Sequence, residues 1–132
     1  MKYNFLGDTE LKVSNVILGC MSFGSPDWRE WVIGSDQSMR LMKKAFDLGI
    51  NFFDTANVYS SGKSEEILGR FLKENNIRDQ IIVSTKMFYP SPETPNLIGL
   101  TKENILSSID GSLKRLNVER IDLYQVHRWD TK

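Results

Sequence analysis

Four short apolar runs, Val16-Ile17-Leu18, residues 50–53, Ile81-Ile82-Val83 and residues 121–126, constrain this chain more than anything else in it. Each is continuous rather than alternating, the mark of strands covered on both faces, as in a parallel sheet. Between them fall apolar residues at helical spacing: Met39, Met42, Ala45 and Phe46, then Ile67, Leu68, Phe71 and Leu72, then Ile105, Ile109, Leu113 and Leu116. Parallel neighbours need a crossover, so strict alternation of strand and helix predicts an α/β protein with right-handed connections. Ser35 or Asp36, Ser64 and Thr101 are available as helix N-caps, and Gly49 stands where a helix would close in a left-handed residue. Residues 2–12, with Gly7-Asp8 in the middle, are expected to form a small hairpin ahead of the first buried strand.

Composition narrows the function classes. The 132 residues carry seventeen Lys and Arg against seventeen Asp and Glu, with 40% hydrophobic residues, as expected for one globular domain over 1–132. Balanced, interspersed charge gives no footprint for nucleic acid or an anionic membrane surface. One Cys excludes a disulfide framework and points to a reducing compartment, the cytoplasm. One Cys and one His cannot furnish a structural zinc site. The first residues lack the apolar run of a signal peptide, and no stretch approaches the roughly 18 apolar residues of a membrane span. Two loops are long: residues 23–34 hold Trp28 and Trp31, and residues 87–100 hold Pro90, Pro92 and Pro95.

Polar residues sit at the ends of the expected strands. Asp54 follows residues 50–53, Lys86 follows Ile81-Ile82-Val83-Ser84-Thr85, and His127 follows Leu123-Tyr124-Gln125-Val126. The C-terminal edge of a parallel sheet is where barrels and open α/β folds build their sites. Tyr59, five residues after Asp54, can stand over the same rim. Each residue alone has a plainer reading: a turn or cap for Asp54, a surface ring for Tyr59, a solvated charge for Lys86, a polar strand end for His127. Together they have a chemical logic. Hydride reduction of a carbonyl leaves charge on oxygen, and a proton must be donated there. A tyrosine hydroxyl gives up its proton reluctantly at neutral pH, and a nearby ammonium favours the phenolate. Lys86 would do this if Asp54 held it, while His127 would orient the substrate oxygen.

At these residues the chain resembles a known family. Gly49-Ile-Asn-Phe-Phe-Asp54-Thr-Ala-Asn-Val-Tyr59-Ser-Ser-Gly-Lys-Ser-Glu65-Glu-Ile-Leu-Gly69 resembles the first signature of the aldo-keto reductases. Ser84-Thr85-Lys86 and Ile121-Asp122-Leu123-Tyr124-Gln125-Val126-His127-Arg128 add to the match, and the His-Arg-Trp-Asp ending is most similar to fungal aryl-alcohol dehydrogenase-type members. The resemblance implies an NADP(H)-dependent oxidoreductase on a (β/α)8 barrel, converting small-molecule aldehydes or ketones, aryl aldehydes among them, to alcohols. Asp54, Tyr59, Lys86 and His127 would be its catalytic tetrad, with Tyr59 the proton donor. Cys20 and Met21, in a segment similar to one lying near the nicotinamide, and Asp54, near the cofactor ribose, would be the cofactor-binding residues. Trp28 and Trp31 would line the substrate pocket or merely cover the rim.

The resemblance runs from Leu6 onward but spans only the first half of that family. A full barrel needs eight βα units in about 250 residues, whereas this sequence supplies four strands and three helices, with no Gly-x-Gly-x-x-Gly loop for a cofactor phosphate. The expectation is a half-barrel, weakly active or inactive alone unless two copies or a complementing half close it. Its first and fourth strands would be open apolar edges that invite self-association. A rival reading is a non-catalytic binding or assembly module derived from a reductase. A phosphoacceptor receiver domain would want an acidic pair after the first strand, where Gly19-Cys20-Met21-Ser22 stands instead.

Overall fold

The computed structural model describes residues 1–131. Strands β1 (Tyr3–Phe5) and β2 (Lys12–Ser14) pair antiparallel as the expected hairpin. Four further strands, β3 (Leu18–Gly19), β4 (Phe52–Asp54), β5 (Ile82–Met87) and β6 (Leu123–Val126), lie side by side in chain order, every neighbouring pair parallel. Helices α1 (Ser35–Asp47), α2 (Lys63–Asn75) and α3 (Lys102–Leu116) form the crossovers. Among the described residues no helix is long and apolar enough to cross a membrane.

The hairpin docks on the N-terminal end of the sheet through Asn51. Its Oδ1 accepts from Ser14 N at 2.7 Å and its Nδ2 donates to Lys12 O at 2.9 Å. Tyr3 Oη adds a bond to Gly49 O at 2.8 Å. The site therefore lies at the opposite end, where the strands emerge.

The helices pack on one face of the sheet. Phe53 stacks on Phe71 with ring centroids 5.8 Å apart, and Met42, Leu68, Val83 and Leu116 are wholly buried around them. Helices α2 and α3 meet at Gly69, where a side chain would run onto the main chain of Leu116. On β5 the period of two sends Thr85 to Glu65 on α2 and sends Ser84 and Lys86 to the opposite face.

Two expectations need correction. The first strand is Leu18–Gly19 alone; Val16 and Ile17 lie outside it and are each 51% exposed, because that side of β3 has no neighbour. Val126 on the other edge is likewise exposed, so only the two inner strands are covered as a continuous apolar run requires. Of the caps, Thr101 accepts from Asn104 N as expected. Helix α1 starts instead from Gly34 and α2 from Gly62, neither with a side-chain cap bond. Ser64 lies inside α2, buried against Thr55. Gly49 does close α1 in a left-handed conformation, with φ +88°.

Candidate active site

Register sets the site. Asp54 is opposite Ser84 across β4 and β5, and Lys86 is opposite Gln125 across β5 and β6, so four polar side chains share the sheet face away from the helices. Lys86 Nζ donates to Asp54 Oδ2 at 2.7 Å and to the carbonyl of Thr55 at 2.6 Å. Asp54 Oδ1 accepts from Ser84 Oγ at 2.9 Å and Gln125 Nε2 at 3.2 Å, and Gln125 Nε2 also donates to Ser84 Oγ at 2.7 Å. The pair is partly open to solvent, with 15% of the Lys86 side chain and 26% of the Asp54 side chain accessible.

Tyr59 covers this pair. Lys86 Nζ lies 5.1 Å from the centre of the Tyr59 ring, within cation–π range. The turn after Tyr59 is unusual: Ser60 and Ser61 have φ of 50° and 52°, followed by Gly62 at 88°. Left-handed backbone costs about 1–2 kcal/mol for each non-glycine residue. The surroundings hold it there, since Ser60 Oγ accepts from Ser25 N at 2.7 Å and Gly24 leaves room for the Ser60 side chain.

His127 stands between two tyrosine rings, 5.6 Å from Tyr59 and 5.4 Å from Tyr89, both near edge-on. Its backbone N donates to Met87 O at 2.8 Å, and its Nδ1 is buried without a partner among the described residues. Burial, then the Lys86 charge, lower its pKa against the weaker opposing pull of Asp54. The imidazole is therefore held in its neutral form, able to donate one hydrogen bond without carrying charge.

The fold thus brings Asp54, Tyr59, Lys86 and His127 to one rim. Cys20 is different. Its thiol is fully buried in the core, and burial pushes its pKa up; only its backbone, donating to Asp54 O at 2.8 Å, reaches toward the rim. Met21 beside it is exposed. The ring contacts of Trp28 and Trp31 are with each other, at 6.0 Å, and with Arg29. Sequence reasoning missed Ser84, Gln125 and Tyr89. The first two were visible in principle, as polar residues two positions before Lys86 and His127 in otherwise apolar strands, hence on the same face.

The Aldo/keto reductase family model matches residues 15–132. The chain belongs to the aldo-keto reductase family. It is 43% identical to the versiconal hemiacetal acetate reductase of Aspergillus parasiticus, covering 98% of this chain and 43% of that protein. An aldo-keto reductase of Alternaria alternata is 38% identical over 97% of this chain and 42% of its own length. A Schizosaccharomyces pombe protein assigned as an aryl-alcohol dehydrogenase is 39% identical over 97% and 43%. Among solved structures, an aldo-keto reductase of Bacillus halodurans in its holo form superposes with a TM-score of 0.81 at 34% identity, over 96% of this chain and 40% of that one. The chain thus spans less than half the length of these relatives, and its four-stranded sheet with three helices corresponds to part of their barrel.

Proposed function

We propose that this chain carries the acid–base rim of an NADP(H)-dependent aldo-keto reductase that converts aldehydes or ketones, aryl aldehydes among them, to alcohols. The observation that carries the reading is the Lys86–Asp54 ion pair fixed beneath the Tyr59 ring. Tyr59 donates its hydroxyl proton to the substrate oxygen as negative charge develops there. The Lys86 ammonium stabilises the phenolate that remains, and Asp54 keeps that ammonium in place. Neutral His127 donates a hydrogen bond that orients the carbonyl.

The residues present fit the nicotinamide end of the cofactor. A Cβ built on Gly19, the register partner of Asp54, would meet nothing within 4 Å, so there is open space beside the ion pair on the same face. Asp54 and the main chain of Cys20 and Met21 would hold that end. When bound, NADPH supplies the hydride. Affinity for the rest of the cofactor would come from a further portion of barrel, and catalysis depends on the positioning it provides.

A second reading has its own observation. Val16, Ile17 and Val126, each more than half exposed, lie at the two open edges of the sheet, as an assembly module would present them. Fluorescence titration of the purified chain with NADPH, run with size-exclusion chromatography and an aryl-aldehyde assay, separates the two. Turnover that Tyr59→Phe lowers by about a hundredfold or more supports the reductase. Cofactor-independent assembly with no turnover, unchanged by Tyr59→Phe, would overturn it in favour of the module.

A further inference from the structure

We infer that Gln125 and Ser84 are positioning residues for the acid–base rim: together they lock the Asp54 carboxylate in the orientation that turns Oδ2 toward Lys86. This rests on the reading of the rim given above.

Hydrogen accounting leaves one arrangement. An ionised Asp54 only accepts, and Ser84 has a single O–H, which Asp54 Oδ1 takes at 2.9 Å. Toward Gln125, Ser84 Oγ can then only accept, so Gln125 must present its amide nitrogen, 2.7 Å away. The same nitrogen lies 3.2 Å from Asp54 Oδ1, so its two N–H groups serve one acceptor each. The flipped amide would set its oxygen against a carboxylate. Asp54 Oδ1 thus has two donors, and Oδ2 is left to Lys86 at 2.7 Å.

The lock matters because the carboxylate torsion of aspartate is broad when nothing restrains it. Lys86 Nζ uses one N–H on Asp54 and a second on Thr55 O, keeping the third for the Tyr59 side. A carboxylate free to swing would release that ammonium. Gln125 also joins β6, the strand that leads into His127, to Asp54 on β4 across the intervening β5. One side chain therefore couples the placement of the acid–base pair to that of the histidine.

Competitive acetylation of the purified 132-residue chain, read by mass spectrometry at each lysine, tests this without turnover. Acylation needs the amine lone pair, which an ammonium held in two hydrogen bonds does not offer, so Lys86 is expected to label slowly, and Asp54→Asn sets the rate of a lysine left with the Thr55 carbonyl alone. Gln125→Met keeps the length of the side chain without its donors, and Ser84→Ala removes the hydroxyl. Each is expected to raise Lys86 labelling about three- to tenfold, the size of one charge-assisted hydrogen bond partly lost. Lys43 and Lys73, on the outer helices, should keep their rates, and Ser84→Thr, which retains the hydroxyl, should restore Lys86. Lys86 labelling at the wild-type rate in both Gln125→Met and Ser84→Ala would overturn the inference. Because the readout needs no cofactor and no substrate, this result stands or falls apart from the cofactor-binding and turnover measurements that test the proposed function.

Discussion

On one face of β5, Thr85 donates to Glu65 at 2.6 Å, and Glu65 is paired with Arg115 at 2.7 Å. On the other face, one residue along, Lys86 is paired with Asp54 at the same 2.7 Å. Length does not distinguish the two pairs; surroundings do. Glu65 is wholly inaccessible and the Arg115 side chain 6% exposed, between two helices and a strand. Taking those charges out of water is costly, so each carboxylate oxygen and each guanidinium nitrogen needs a partner: Thr85 serves one Glu65 oxygen, Arg115 the other, and Glu93 and Ser112 take the two further Arg115 nitrogens. The Asp54–Lys86 pair keeps contact with solvent and with the open side of the sheet, where a ligand can approach. The first pair ties α2, α3 and the loop after β5 together, while the second stays available for proton chemistry.

Removing one partner from each pair should separate these roles most strongly. Glu65→Ala leaves Arg115 buried with only Glu93 to compensate it, and the expected loss is about 3–5 kcal/mol in urea unfolding. Asp54→Asn should cost on the order of 1 kcal/mol or less, because its partner remains partly hydrated and keeps the Thr55 carbonyl. Comparable losses for the two variants would show that the rim pair is as structural as the buried one.

The next contrast needs only a methyl group. Gly69→Ala drives a carbon onto the Leu116 main chain in the helix layer, and overpacking of this kind costs about 1–3 kcal/mol. Gly19→Ala places the same carbon in open space on the other face. It should leave the thermal midpoint within about a degree or two, equivalent to a few tenths of a kcal/mol. A large loss at Gly19 would mean that the inner face is filled, contrary to the space seen beside Asp54.

The sequence made the helix layer and the alternation of strand and helix legible because both rest on periodicity; the family signature carried Asp54 and Tyr59, while Lys86 and His127 stood out as polar residues at strand ends within two further matching segments. It was less informative at the edges. The run Val16-Ile17-Leu18 reads as a buried strand, yet burial depends on a neighbour beyond β3 that local sequence cannot supply. Helix starts at Gly34 and Gly62 were hidden because Ser35, Asp36 and Ser64 are better cap formers by type, and tertiary bonds claimed Ser64 for Thr55 and the Cys20 carbonyl. Cys20 was assigned to the cofactor by the resemblance of its segment alone, and its side chain turns into the core. The left-handed pair Ser60-Ser61 carries no sequence signal either, since serine has no special liking for that conformation; the bond from Ser25 and the space at Gly24 impose it.

Acid should touch the two regions in sequence, with the smallest effect first. His127 is the one histidine, so its window is clean. Its pKa is lowered from the usual 6.5 by burial and then by Lys86, with Asp54 opposing. The unfolded chain therefore takes up the proton before the folded one, and stability falls as pH drops through about 6.5, levelling below the folded value. Glu93 answers in a lower range. Burial pushes its carboxyl up, but hydrogen bonds from Arg115, its own backbone N–H and Ser91, with the Arg115 charge, outweigh this and hold it below the usual value. Stability from that contact is present above the unfolded carboxylate range and is lost as pH falls through the folded one. Urea midpoints followed from about pH 7.5 to about pH 3 should show a shallow first step that His127→Gln abolishes, and a second that Glu93→Gln diminishes while the first persists. A first step surviving in His127→Gln would show that the rim histidine is not held neutral, and with that the claim that it orients a carbonyl without competing for the proton of Tyr59 would fail.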